Sequence, residues 1–297
     1  MKLHEVIELF VLGAIWGASF MLMKEAVPEF GIFALVEYRV LGASICLLLL
    51  VYLRKQQDHL IRYWPRLLFV GVVNTAIPFC LFNYSAGYLD ASLLAILNAA
   101  APMFGVVVAW LYLREKIGIW GILGLGLGFV GVIFISLDPT TSEGAAFVPV
   151  MAALGATLCY GICASYIKKH LAGAKPFAVA AGSQMFAAIA LLPISLANLP
   201  SQIPTANGWM SATLLSILCT GVAYIMYFDL ISKIGVTKTM TVGYLVPLFG
   251  IMWGVILLDE VLTAQQLLGG VCILTGVMLV TNVVKVILAR RRPQQIS

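Results

Sequence analysis

Nine residues of this chain return in the same order at one fixed distance. Pro102, Phe104, Gly105, Leu113, Glu115, Leu123, Gly124, Gly131 and Val132 recur 145 positions later as Pro247, Phe249, Gly250, Leu258, Glu260, Leu268, Gly269, Gly276 and Val277. Upstream, Gly17 to Lys24 parallels Gly161 to Lys168 at an offset of 144. One unit is therefore written twice. Apolar runs long enough to cross a bilayer, about 20 residues each, fall near 6–24, 32–53, 66–88, 91–112 and 117–137. A second five fall near 148–168, 177–198, 210–231, 237–258 and 265–286. With five crossings per copy, an odd number, the second copy must enter the membrane in the opposite sense. Inverted repeats of this kind are how carriers build a central site.

Composition supports the membrane reading. The chain is 62% hydrophobic and only 10% charged, more apolar than a soluble domain of this length needs. The period-2 alternation of an outer-membrane barrel is absent, which leaves helices to satisfy the backbone in lipid. Lys and Arg then set the orientation. With both ends in the cytoplasm, every Lys and Arg except Lys24 and Arg39 falls on the inner side. The expected fold is an all-α integral membrane protein of ten transmembrane helices, arranged as two inverted five-helix repeats with N and C termini cytoplasmic. The repeats span 1–137 and 148–288, and 289–297 forms a basic cytoplasmic tail suited to anionic headgroups.

The net charge of +5 is a consequence of this topology and gives no reason to expect a nucleic-acid partner. A single Lys precedes the first segment, with no small-residue cleavage site after it, so that segment reads as a retained helix. All six cysteines lie within the apolar runs. Cys159 and Cys163 share a helical face without a nearby His or carboxylate, which marks packing residues; no disulfide, metal or cofactor is expected. The connections, such as Asp138–Gly144 and the Pro-containing Asn198–Asn207, are too short to host a soluble catalytic domain. No nucleotide-binding loop and no nucleophile with an adjacent base is present, so no catalytic residue is assigned. Function must lie among the helices.

Three prolines sit near helix midpoints: Pro78, Pro102 and Pro247. Each frees the carbonyl four residues earlier, those of Asn74, Asn98 and Gly243. Pro102 and Pro247 are repeat mates, so their kinks are expected to face each other at the midplane as hinges or gates. Trp16 and Tyr160 are also mates, far from the edges where interface aromatics collect. With Asn74, Asn98, Tyr224 and Tyr244 they are the expected substrate-binding set of a neutral polar–aromatic pocket, which Tyr84, Tyr227, Trp253, Asn83 and Gln184 can join. Ordinary aromatic core packing is the alternative for any single one.

Intramembrane charges are few. Glu37 and Arg39, two apart on the second helix, point in different directions. Arg39 suits either a structural role, holding a neighbouring helix through carbonyls, or contact with a substrate carboxylate. Lys24 and Lys168 read as snorkelling side chains, and Asp229 as the partner of Lys233. No carboxylate lies at the bilayer centre. Glu37 and Asp229 are the only candidates for proton coupling, and facilitation or exchange is the favoured mode. The six glycines of the fifth span, with the pair Gly124 and Gly128, point to close helix packing. The fifth and tenth helices are read as supports for an eight-helix core.

Several of these segments resemble a known family. The start Gly13–Phe20 (GAIWGASF), the stretch Phe33–Arg39 (FALVEYR) and the repeated Pro102…Glu115 and Pro247…Glu260 segments look like the drug/metabolite transporter superfamily, EamA-type branch. The resemblance covers nearly the whole chain. It implies a multi-pass carrier of the bacterial inner membrane working by alternating access, with helices one to four and six to nine around a central cavity. Arg39 matches the family's helix-two arginine, and Glu115 and Glu260 its glutamates after helices four and nine. The second copy departs from the pattern with Ser183 in place of Arg39. Export of small metabolites is implied, amino acids foremost; the charge-poor aromatic pocket suits neutral, aromatic or hydrophobic ones and disfavours strong anions. Nucleosides, drugs or other small organic compounds are the alternative cargo, and a membrane scaffold subunit is the non-transport alternative. The expected partners are a small-molecule substrate and the lipid bilayer, with a monomer as the expected state.

Overall fold

A computed structural model of the chain describes residues 1–138 and 147–281. The connection after Asp138, the last turns of the tenth span and the basic tail lie outside the described residues. Among the described residues there are eight helices long and apolar enough to cross a membrane and two shorter apolar ones: α1 (Leu3–Phe30), α2 (Ile32–Leu53), α3 (Gln57–Ala86), α4 (Ala91–Leu113), α5 (Ile119–Ser136), α6 (Phe147–His170), α7 (Pro176–Ala197), α8 (Ala206–Ile234), and the shorter α9 (Val242–Leu257) and α10 (Ala264–Val280). The end of the bundle that holds Leu3 is the proximal face and the opposite end the distal face.

Boundaries differ from expectation where polarity hides helix. α3 begins nine residues before its apolar run, at Gln57, because its first two turns expose Ile61 and Trp64 beside polar residues. α1 runs on to Phe30 and turns directly into α2 through Gly31 alone. Gly31 has φ +74°, a left-handed conformation that only glycine adopts cheaply, and its N–H caps the Val27 carbonyl at 2.8 Å.

Packing follows the repeat. α1 lies on α9 as α6 lies on α4; α2 meets α8 as α7 meets α3; and the mates α2 and α7, and α5 and α10, pack on each other. Single contacts obey the same exchange. A Cβ on Gly17 would lie 2.8 Å from the Gly250 nitrogen, and one on Gly161 2.8 Å from the Gly105 nitrogen. Between α5 and α10, a Cβ on Gly131 would reach the Gly269 carbonyl at 2.5 Å, and one on Gly276 the Gly124 carbonyl at 2.5 Å. These are pairs of repeat mates, and they explain the glycine content of the fifth span as backbone-to-backbone approach. The mates α4 and α9 are antiparallel: Glu260, just beyond the end of α9, caps the start of α4 at Ala91 and Ser92. The two copies thus run in opposite senses.

Two spans widen in mid-course. Gly71–Ala76 in α3 and Leu214–Val222 in α8 form π-helical turns, and the offset of 144 places the first inside the second. Pro78 follows the first, but Val222 stands at the equivalent position of α8. Proline is therefore not the cause they share. Tight packing accompanies both: a Cβ on Gly71 would sit 2.7 Å from the Ser183 carbonyl, and Ser216 Oγ donates to the Arg39 carbonyl at 3.0 Å. Ser183 and Arg39 are mates, so the same approach recurs on each side.

Candidate transport cavity

Near the middle of the bundle lies a cavity of ≈ 420 Å³. Trp16 and Ser19 of α1, Asn74 of the α3 π turn, Asn98 of α4, Tyr160 of α6, and Thr220 and Tyr224 of α8 border it. Five of the six residues in the expected binding set are thus brought together from five helices. Tyr244 is not among them. α9 resumes its helix at Val242, after a break at Met240–Thr241, and Tyr244 turns towards α10, where its hydroxyl meets Thr281 Oγ1 at 2.6 Å.

The prolines do not line the space, but their neighbours do. α4 is interrupted at Ala99–Ala100, just before Pro102, where i→i−3 bonds replace the helical pattern. Asn98 and Ala101 flank that break and border the cavity, as does Val246, next to Pro247. α4 and α9 pack closely where a Cβ on Gly250 would collide with Ala95, and the cavity lies beside that contact.

Aromatic rings make two walls. Trp16 sits against Tyr227 at 5.3 Å and Tyr224 at 6.5 Å between centroids. Opposite, Phe82 contacts Phe20 at 5.8 Å and Tyr160 at 6.3 Å. Such rings offer large apolar area with defined faces. Other aromatic and amide candidates serve the frame: Trp253 Nε1 donates to the Ala14 carbonyl at 3.0 Å, and Asn83 Nδ2 to the Ile32 carbonyl at 3.1 Å. Tyr84 pairs with Tyr88, and Gln184 is buried outside the lining. Among the lining residues missed from the sequence are Ser19, Phe20, Met23, Phe79, Phe82 and Thr220, which no composition signal separates from ordinary core.

Arg39 is 7% exposed and borders the cavity. Its Nε donates to Thr220 Oγ1 at 2.9 Å, and that hydroxyl donates in turn to the Leu215 carbonyl of the π turn at 2.8 Å. The guanidinium lies 4.1 Å from the Phe79 ring centroid, a cation–π arrangement. No carboxylate of the described residues is within ion-pair distance of it. The side chain is bonded to α8 through a hydroxyl, where carbonyls were expected, and it also borders the cavity.

The charged mates at the helix ends both meet carboxylates. Lys24 meets Asp90 and, at 3.4 Å, Glu260; Lys168 meets Glu115 at 2.6 Å. The Lys24 side chain is mostly covered, whereas Lys168 stays largely exposed beside Glu115. Lys233 bridges Asp229 at 2.7 Å and Glu8 at 2.9 Å. Burial pushes the Glu260 carboxyl upward, but hydrogen bonds from the Ser92 hydroxyl and from the Ser92 and Ala91 backbone, with the Lys24 charge, outweigh it. Together they hold the group below the usual carboxylate value.

The ties between helices differ at the two faces. On the distal face α4 is tied to α1 and α9 through Lys24, Asp90 and Glu260. Along Ala91–Asn98 every residue but Asn98 is buried, whereas in Ala101–Leu113 only Met103 is. On the proximal face Lys233–Glu8 joins α8 to α1, and Tyr112–His170 and Lys168–Glu115 join α4 to α6. Among the described residues no ion pair links those two groups there. No cluster of three metal-ligating side chains occurs among the described residues either.

Ten apolar spans in two exchange-related halves around a polar–aromatic chamber define a multi-pass membrane transporter. The model of the EamA-like transporter family matches residues 5–137 and again 148–282, and the chain belongs to that family. It is 24% identical to a probable amino-acid metabolite efflux pump of Escherichia coli (strain K12), over 88% of this chain and 89% of that protein. A probable terminal-alkyne amino-acid exporter of Streptantibioticus cattleyicolor is 23% identical, with 95% of each chain covered. The Bacillus subtilis protein named uncharacterized transporter YvbV is 25% identical over 95% of this chain and 92% of its own. A solved crystal structure superposes with a TM-score of 0.67 at 16% identity, covering 98% of this chain and 99% of that one, a likeness of fold.

Proposed function

We propose that this transporter exports amino acids with apolar or aromatic side chains, by alternating access through the central cavity, with the proximal face in the cytoplasm of a bacterial inner membrane. The observation that carries the reading is Arg39: a guanidinium bordering a cavity whose other walls are rings and neutral amides. A buried cation without a counter-ion is costly, and a substrate carboxylate supplies one with matched bidentate geometry. The α-ammonium meets ring faces at Trp16 and Tyr227 and the amide oxygens of Asn74 and Asn98. The aromatic walls then take an apolar side chain. The additional ties of α4 on the distal face suit a conformer that opens towards the proximal face, the loading state of an exporter. The names of two relatives point to the same cargo class.

The test is counterflow in proteoliposomes loaded with a mixed metabolite pool. Saturable uptake of labelled aromatic or branched-chain amino acids, competed by their like and unaffected by nucleosides, supports the reading. Absence of saturable amino-acid flux removes it.

A further inference from the structure

Glu37 and Arg39 are two residues apart on α2 and serve different compartments. Arg39 borders the central cavity. Glu37 borders a separate crevice of ≈ 550 Å³ near the distal face, between α2, α7 and the connection that leads into α8, with Trp209 on one side. Ala34, Glu37, Tyr38 and Leu41 form one face of α2 there, the i, i+3, i+4, i+7 spacing of a helical stripe.

Among the described residues the carboxyl group has no partner: Glu37 is 5% exposed, and neither oxygen makes a hydrogen bond to them. The elements around it offer no positive charge. α7 contributes Leu192, Ser195 and Leu196, and α1 contributes Phe30. From α3, Asn83 bonds the Ile32 carbonyl and Cys80 packs beside Val36 and Val40. On α8, Thr213 is engaged with the Tyr38 hydroxyl, and Ser216 with α2 carbonyls. The nearby carboxylates of α1 are used elsewhere, Glu25 on Ser211 and Glu29 on Thr205. Arg39 itself turns away to Thr220 and Phe79.

An ionised carboxylate so placed would be buried without a counter-charge or a donor, which proteins avoid by keeping the group neutral. We propose that Glu37 is a proton-binding site that switches the transporter: the distally sealed conformer holds Glu37 as the neutral acid, and loss of its proton through the crevice favours distal opening. The step is a plain acid–base exchange. The carboxyl O–H bond breaks, the proton passes to water entering the crevice, and the negative charge left on Glu37 draws that water in and separates α2 from α7. Absence of a carboxylate at the bilayer centre does not oppose this, because the switch acts on the seal and not on the cargo. The reading of the sealed state rests on the proposed transport cycle; the site itself does not.

Trp209 shares the crevice and lies 5.4 Å from Tyr38 between ring centroids, so its fluorescence reports on the site without any substrate. Wild type, Glu37→Gln, Glu37→Asp and Trp209→Phe are titrated in nanodiscs from mildly acidic to alkaline pH. The expected result is a one-proton transition in wild type that disappears in Glu37→Gln and in Trp209→Phe, and persists with a displaced midpoint in Glu37→Asp. Should Glu37→Gln not fold, the displaced midpoint in Glu37→Asp carries the test alone. Identical titrations of wild type and the Glu37 variants, or no transition in wild type, overturn the proposal. In proteoliposomes, exchange by wild type should follow the same midpoint and Glu37→Gln should be slow at every pH. A transition in fluorescence without amino-acid flux would sink the cargo reading and leave the proton site standing.

Discussion

Lys24, near the distal end of α1, stands 3.4 Å from Glu260, 236 residues further along, and the same carboxylate receives both N–H groups that open α4. A negatively charged group near a helix N-terminus is favoured by the helix dipole as well as by its hydrogen bonds. The distal seal therefore depends on Glu260 being ionised. Its mate Glu115 is half-exposed and binds only Lys168 among the pairs seen, so the two ends of the pseudo-twofold are not equivalent.

Glu260→Gln should lower stability by about 1.5–3 kcal/mol, the range for hydrogen bonds to a charged partner. Its pH dependence has a defined sign. The folded-state carboxyl is held below its ordinary value, so its contribution is full above the unfolded-state value and is lost as pH falls through the folded one. Thermal melts in nanodiscs should show wild type and Glu260→Gln converging on acidification. Parallel curves would mean that the carboxylate is not what holds the seal.

Arg39→Gln removes the positive charge from the cavity but keeps a hydrogen-bonding group near Thr220. Amino-acid affinity should fall at least tenfold, consistent with loss of about 1.5–3 kcal/mol from a charge-assisted contact. Binding of the corresponding amines, which lack the carboxylate, should change little. Equal losses for acid and amine would assign Arg39 to helix packing alone.

Trp16→Ala opens one aromatic wall, while Trp16→Phe keeps a ring there. Removing a buried aromatic ring typically costs about 3–5 kcal/mol, and part of that would appear in substrate affinity. Flux of aromatic amino acids should drop steeply in Trp16→Ala, recover in Trp16→Phe, and change least for alanine as cargo. Melting curves on the same samples separate lost binding from lost fold.

Gly131→Val tests the α5–α10 contact. A Cβ at Gly131 would lie 2.5 Å from the Gly269 carbonyl and 2.9 Å from Cys272 Cβ, so the helices must part. Overpacking of this kind costs about 1–3 kcal/mol. Stability should fall while flux per folded molecule is retained, because neither helix borders the cavity. A specific loss of flux at unchanged stability would give α5 and α10 a part in the transport cycle.

Some of the site was readable before any coordinates. Trp16 and Tyr160 stood out as mid-span mates, and Asn74 and Asn98 as amides four residues before a proline. Those signals are local, and all four residues border the cavity. Tyr244 was picked for its place beside Pro247 and faces Thr281, after the break before Val242. Phe79, Phe82 and Met23 border the cavity too, yet as apolar residues in apolar helices they carry no mark. The π turns were invisible for a related reason: they arise from contacts between α3 and α7 and between α8 and α2, which no single segment encodes.

By itself the sequence determined ten spans, two copies and their opposed directions, because bilayer thickness fixes the length of an apolar helix and an odd count of crossings forces inversion. Tertiary structure alone decided which side chains share a chamber, that Lys24 and Lys168 pair with repeat-mate glutamates, that the two ends of the pseudo-twofold are tied differently, and that Glu37 and Arg39 face separate compartments. Those outcomes depend on helix phase and on partners more than a hundred residues away, and hydropathy carries no information about either.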